Sequence, residues 1–298
     1  MVTPWNLKRD VSRVHMVGIS GFGMPALARF CAYEGMVVSG SDQELSTVTK
    51  DLINDGVSVS VPYSMDNIPK DIQLVVYADE VHENNVELLA SKSCGVPVLS
   101  YSTVLGRMVN DLYLIAVSGT KDRVLTISIL TDIMDRAGME PTVLVGDLDA
   151  DSSKKGFRPG KSKYAIVEAC EYKEGFLHLQ PNVLAITSVD YKYSNYLDDQ
   201  AYAQSLFSKF SNRLHLYGDR TVVADLKDSR VSTVLSGSPV EVVDCSSYID
   251  RVNTFSAKES HIFLCVAVAM AVASVLKIED EVVIKSLENL RARGLFKK

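Results

Sequence analysis

The sequence predicts an α/β protein made of two successive parallel-sheet domains. Three observations carry this. Short β-branched runs alternate with longer stretches at helical spacing along the 298 residues, and strands separated by helices of that length pair in parallel through right-handed crossovers. Two of the runs, 14–17 and 112–117, end in glycine turns that lead straight into helical stretches. The length suits two ordinary cores rather than one small one, which we place at 1–110 and 111–298.

The elements follow in order. The run 14–17 leads through GISGFG into a helical stretch at 24–34, then a short run at 37–39 and an amphipathic stretch at 46–55. Runs at 74–77 and 96–99 flank a helix at 84–94 and complete the first domain. The run 112–117, the most strand-like in the chain, opens the second unit, with a helix expected over 123–137. Apolar runs at 143–145, 164–167 and 183–187 follow, and the polar, Gly/Lys/Ser-rich stretch 149–163 reads as a solvated loop. A helix at 200–211, short strands around Leu214, Val222 and Val242, and two closing helices at 260–277 and 279–293 complete the pattern. There is no internal repeat and no low-complexity tract.

Composition bounds the function classes. With 47% hydrophobic and 23% charged residues the chain is globular in type. A net charge of -6 argues against a general nucleic-acid binder, which needs clustered Lys and Arg to neutralise phosphates. No apolar run approaches the roughly 20 residues that cross a bilayer, and the first residues, MVTPWNLKRD, lack the apolar core of a signal peptide. Five scattered cysteines without a C-x-x-C pair fit reduced thiols and a cytoplasmic setting.

Gly18, Gly21 and Gly23 lie between the first strand and the first long helix, followed by Met24, with Asp42 just past the second strand in SGSD. Glycines there let a backbone approach a phosphate, and a helix N-terminus supplies free N–H groups. An acidic side chain after the second strand can accept from a ribose or base. Nucleotide binding and plain tight packing are the two readings of these residues.

Longer strings carry a resemblance. HMVGISGFGMPALA followed by VSGSD, then GVPVLSYSTVLGRMV, AVSGT and VEACEYKEGFLHLQPNVLAITSVD together resemble the Mur ligase family, in its UDP-N-acetylmuramate:L-alanine ligase branch. The likeness runs in order over nearly the whole chain. It implies a Rossmann-like, UDP-binding N-terminal domain followed by a P-loop-type central ATPase domain. The activity it implies is ATP- and Mg²⁺-dependent joining of an amino acid to a muramoyl carboxylate in peptidoglycan synthesis. UDP or a UDP-sugar is the ligand implied for Gly18, Gly21, Gly23, Met24 and Asp42.

The departures from the family's pattern shift the functional expectation. Where the family's ATP loop reads G-T-H-G-K-T-T, this chain has Gly119, Thr120, Lys121, Asp122, Arg123, Val124 and Leu125. Asp122 adds a Cβ and a negative charge where a glycine lets amides curl round phosphates. Arg123 is bulkier than Lys, and Val124 cannot ligate Mg²⁺. Glu168 matches the family's metal-binding Glu, with a polar strand-end residue as the equal alternative, while the acid after it is Cys170. Cys170 reads as a buried thiol. Tyr193 stands in place of a His in the segment from Thr187, and Ile262 in place of an adenine-contacting Asn. In the first domain Asp79 and Glu80 bring negative charge to the expected diphosphate position. The chain ends in GLFKK where the family's third domain opens, so that domain is expected to be missing and a dimer, or a cell-wall enzyme as partner, is expected to cover the face it leaves. The sequence therefore points to an inactive homologue with no assignable catalytic residue. The alternative is a ligase with a rebuilt site or with its third domain supplied in trans.

Overall fold

The structure, a computed structural model, describes residues 7–146, 156–215, 220–252 and 260–294. Two compact units result. One holds the chain to Val109 together with the segment from Leu144 to Pro159, and the other holds Asn110–Val143 and the chain from Gly160 onward. The sequence reading cuts the chain once, near residue 110; the described parts of 144–159 group instead with the first unit. Phe157 shows why, since its ring stacks on Phe30 at 5.4 Å between centroids.

The first unit contains α1 (Leu7–Asp10), β1 (Arg13–Val17), α2 (Met24–Tyr33), β2 (Val37–Ser41), α3 (Thr47–Asn54), β3 (Ser58–Ser60), β4 (Leu74–Tyr77), α4 (Val86–Ser93), β5 (Val98–Ser100) and α5 (Tyr101–Val109). Its sheet runs β3-β2-β1-β4-β5, with every pairing parallel. Parallel strands covered on both faces read as near-continuous apolar runs, and β1 is of this kind: Val14, Met16 and Val17 are fully buried. Helix α2 turns Met24, Leu27, Ala28 and Phe30 inward. Helix α3 begins at a capping box in which the Ser46 hydroxyl accepts from the Thr49 amide and the Thr49 hydroxyl from the Ser46 amide. The chain goes from β1 to β2 on one side and returns to β4 on the other. The order therefore reverses at β1, and a crevice opens at the carboxyl ends of β1 and β4.

The second unit opens with β6 (Tyr113–Ser118), α6 (Arg123–Arg136) and β7 (Thr142–Leu144). After β8 (Phe157–Arg158), which counts with the first unit, come β9 (Tyr164–Ala169), β10 (Val183–Ile186), α7 (Gln200–Ser211), β11 (Thr221–Ala224), α8 (Ser229–Leu235), β12 (Glu241–Asp244), α9 (Ser246–Val252), α10 (Ser260–Val275) and α11 (Asp280–Ala292). The strands of this unit run β12-β11-β10-β6-β9-β7, and β6 pairs in parallel with both β9 and β10. A second reversal therefore sits at β6. Helix α10 is apolar all round, its residues from Cys265 to Ala273 are buried, and it packs on α6, as such a helix must.

Three sequence expectations need correction. Leu214 lies in coil rather than a strand, although its side chain is buried. The stretch 149–163 is not all loop, because Phe157 and Arg158 form β8, while residues 149–155 lie outside the described part. Helix α5 covers Tyr101–Val109, a stretch to which the sequence reading assigned no element. No described helix is long and apolar enough to cross a membrane.

Candidate functional site

Each reversal point carries one of the two glycine turns. At the first, the chain leaves β1 through Gly18 at φ +73°, a conformation that favours glycine. A Cβ there would stand 2.7 Å from Val81 Cγ2. The turn is held by bonds to itself and to the segments beside it. The amides of Gly18 and Ile19 donate to the Ser41 carbonyl, that of Gly21 to Gly18, that of Gly23 to Gly146 and that of Met24 to Gly21. The Ser20 amide and hydroxyl both donate to Asp42 Oδ2, at 2.9 and 2.5 Å. Asp42 Oδ1 accepts from the Gln43 amide at 2.8 Å. Asp42 thus lies where the sequence placed it, and its observed role is to hold the turn.

A cavity of about 540 Å³ opens beside this turn, and Gly18, Gly21 and Asp42 are on its wall. Gly23 and Met24 are not. The Cβ position of Gly23 falls 2.1 Å from the Tyr101 hydroxyl, and Met24 is fully buried in the core. The ligand contact expected of these two is therefore not part of this wall. Glu80 enters the wall, its Oε2 3.4 Å from the Cβ position of Gly21.

Behind the turn lies a polar network that the sequence reading missed. Glu87, with no exposed surface, accepts from the Ser41 hydroxyl at 2.5 Å, the Ser64 amide at 2.9 Å and Asn67 Nδ2 at 2.8 Å. His15 Nε2 lies 3.2 Å from the same carboxylate and His15 Nδ1 lies 2.9 Å from the Ser39 hydroxyl. Burial pushes the Glu87 pKa up, but the hydrogen bonds from His15, Ser41, Asn67 and Ser64 more than offset it and hold the carboxyl below its ordinary value. A histidine inside an apolar strand and a glutamate near a helix start were the available signals. Their pairing is tertiary and has no local signature.

At the second reversal point β6 leads through Gly119 to α6. Gly119 sits at φ +138°, and a Cβ on it would fall 2.1 Å from Thr187 Oγ1. That hydroxyl donates to the carbonyls of Lys121, at 2.6 Å, and Ser118, at 3.1 Å. The amides of Thr120 and Lys121 donate to the carbonyl and hydroxyl of Ser188, at 3.2 and 3.1 Å. Asp122 begins α6 at φ 64° with no side-chain cap bond, and its Oδ2 is buried without a hydrogen-bond partner among the described residues. Arg123 then turns back into the loop. Its Nε donates to Glu168 Oε1 at 2.8 Å, and its Nη1 donates to Glu171 Oε2 at 3.2 Å and to the carbonyl of Gly119. Burial works against the guanidinium charge, and Glu168, Cys170 and Glu171 override it to hold its pKa above the ordinary value. The Cys170 thiol is pushed up to about 12 by burial and by Glu171, so it is no thiolate nucleophile.

Residues 13–113 match the pattern of the Mur ligase family, catalytic domain. The UDP-N-acetylmuramate--L-alanine ligase of Agathobacter rectalis is 33% identical over 77% of this chain and 50% of its own length. The ligase of the same name from Clostridium kluyveri is 37% identical over 75% of this chain and 49% of its own. The chain carries a Mur ligase family domain. It spans about half the length of these curated relatives. Solved structures agree on the fold. The UDP-N-acetylmuramate-alanine ligase of Thermotoga maritima superposes with a TM-score of 0.73 at 22% identity, over 94% of this chain and 68% of that one. The UDP-N-acetylmuramate:L-alanyl-gamma-D-glutamyl-meso-diaminopimelate ligase of Neisseria meningitides gives 0.80 at 17% identity, over 97% and 99%. The α/β expectation holds.

Within this Mur ligase fold the residues at the second turn do not fit Mg²⁺ and ATP phosphates. Glu168, the one metal ligand the resemblance offered, faces the Arg123 guanidinium. Asp190 is paired with Arg230, which also holds Asp228 at 2.8 Å. Among the described residues no group of three or more His, Cys, Asp or Glu is arranged to hold a metal ion. The Lys121 ammonium lies 4.9 Å from the Tyr193 ring centroid. Ser188, Glu171 and Arg230 were not singled out from the sequence, since each matters only through what the fold brings against it.

Proposed function

We propose that this chain is a catalytically silent Mur ligase homologue, a scaffold of peptidoglycan-precursor ligation in which the ATP loop has become a closed structural turn. The observation that carries this reading is Arg123. Its guanidinium bonds Glu168, Glu171 and the loop's own Gly119 carbonyl, so an internal cation already neutralises the carboxylates that a metal ion would need. Phosphoryl transfer depends almost entirely on positioned phosphates and bound metal. A loop whose amides are bonded to Ser188 and whose carboxylates are bonded to arginine supplies neither.

Asp122 supports the same reading. Its buried, unbonded oxygen would stand against a polyphosphate at short range, where like charges in a partly buried site cost most. The remaining role is binding, of a small ligand in the first-unit cavity or of a protein from cell-wall synthesis. Phosphate release in the presence of UDP-N-acetylmuramate, L-alanine and Mg·ATP tests the proposal. We expect no release above the enzyme-free rate. Turnover dependent on L-alanine would establish the rebuilt ligase instead.

A further inference from the structure

The cavity of the first unit is walled by four separate stretches of chain: 18–22 after β1, Asp42 and Gln43 after β2, Tyr63, and 78–85 between β4 and α4. Glu87 lines none of it, yet each stretch is bonded to Glu87 or adjoins a residue that is. Its Oε2 accepts from the Ser41 hydroxyl, and the carbonyl of the same Ser41 accepts the amides of Gly18 and Ile19. Ser41 therefore links Glu87 to the glycine turn and, through the next peptide, to Asp42. Its Oε1 accepts from Asn67 Nδ2 and from the amide of Ser64, the neighbour of Tyr63. The Glu87 amide donates to Asn85 Oδ1 at 2.9 Å, and Asn85 is on the wall. His15, the remaining partner of the carboxylate, lies on β1 just ahead of the turn.

We propose that Glu87 is the positioning residue of this cavity: it touches no ligand and sets the relative places of the stretches that would. A carboxylate with no exposed surface is costly unless its lone pairs are satisfied. Plain packing would be served as well by an apolar side chain of similar volume. What the carboxylate adds is the fixed placement of its four partners, which come from β1, β2 and the segment around Tyr63. The inference rests on the reading that this cavity is the chain's remaining small-ligand site, and not on the closed ATP loop of the other unit.

Hydrogen–deuterium exchange of the full chain at neutral pH, without ligand, tests it on E87A, E87Q and L52A. Amides exchange through local as well as global openings. The decisive amides are those that do not bond Glu87 themselves: Gly18 and Ile19, held by the Ser41 carbonyl, and Asp42, held by the Ser60 carbonyl. In E87A these should exchange about tenfold faster relative to the amides of β4, the scale of one or two lost hydrogen bonds. E87Q should recover most of that protection, since its amide oxygen can accept from Ser64 and Asn67 while its NH2 donates to Ser41. L52A truncates a fully buried side chain of α3 outside the network and should not single out the wall. A rise in E87A that is equal in the wall and in β4 overturns the proposal, as does no rise at all. So does an E87Q chain as unprotected as E87A, or the same pattern in L52A. None of these outcomes needs ATP or a cavity ligand, so this inference and the proposed function fail separately.

Discussion

Asp122 concentrates the cost of this loop in one residue. It holds a left-handed backbone at φ 64° that glycine adopts freely, and buries an oxygen with no hydrogen-bond partner among the described residues. Residues in such conformations typically cost about 1 kcal/mol or more. Asp122→Gly should therefore stabilise the protein by about 1 kcal/mol in urea unfolding, against the usual direction of point substitutions. A destabilised variant would mean that the carboxylate has a stabilising role. Glu87 is the opposite case. Glu87→Ala leaves His15, Ser41, Ser64 and Asn67 without their acceptor and should cost about 3–5 kcal/mol, the scale of breaking a buried charged network. Its titration has a definite sign. The folded pKa lies below the unfolded one, so its stabilisation is complete above the ordinary Glu value of about 4.3 and is lost as pH falls through the depressed folded value. The stability gap between the native protein and Glu87→Gln should shrink across that acidic window and stay constant near neutrality.

At the scale of elements, the N-terminal turn of α6 is tied to the ends of β9 and β10 by charge and hydrogen bonds. Arg123→Ala leaves Glu168 and Glu171, both buried, without their cation and should destabilise by about 3–5 kcal/mol. Arg123→Lys should recover only part of this, since an ammonium cannot reproduce the planar fork that spans Nε and Nη1. Equal stability of Arg123→Ala and the native chain would show the ion pair to be incidental. The sequence made the loop's departures legible residue by residue, because Asp, Arg and Val replace types with known duties. Where Arg123 points could not be read, since it is decided by Glu168 and Glu171, some 45 positions away in sequence and brought alongside by β9. The element misreadings have the same origin. Phe157 becomes a strand residue by packing on Phe30. Leu214 is apolar and buried without being paired.

For the whole molecule, the alternation of runs and glycine turns identified the α/β class correctly, because parallel sheets bury both faces of each strand and mark the sequence strongly. Each glycine turn falls where strand order reverses, at β1 and at β6, which is where open α/β sheets hold ligands. The relatives share that scaffold, and fold alone does not fix function. The proposed loss of ligation rests on the second of those points, where an arginine is bonded into its own loop. Isothermal titration of Mg·ATP into the native chain should give no saturable heat. Saturable, Mg²⁺-dependent binding of micromolar affinity would contradict the proposed closed loop, in which Arg123 holds Glu168 and Glu171.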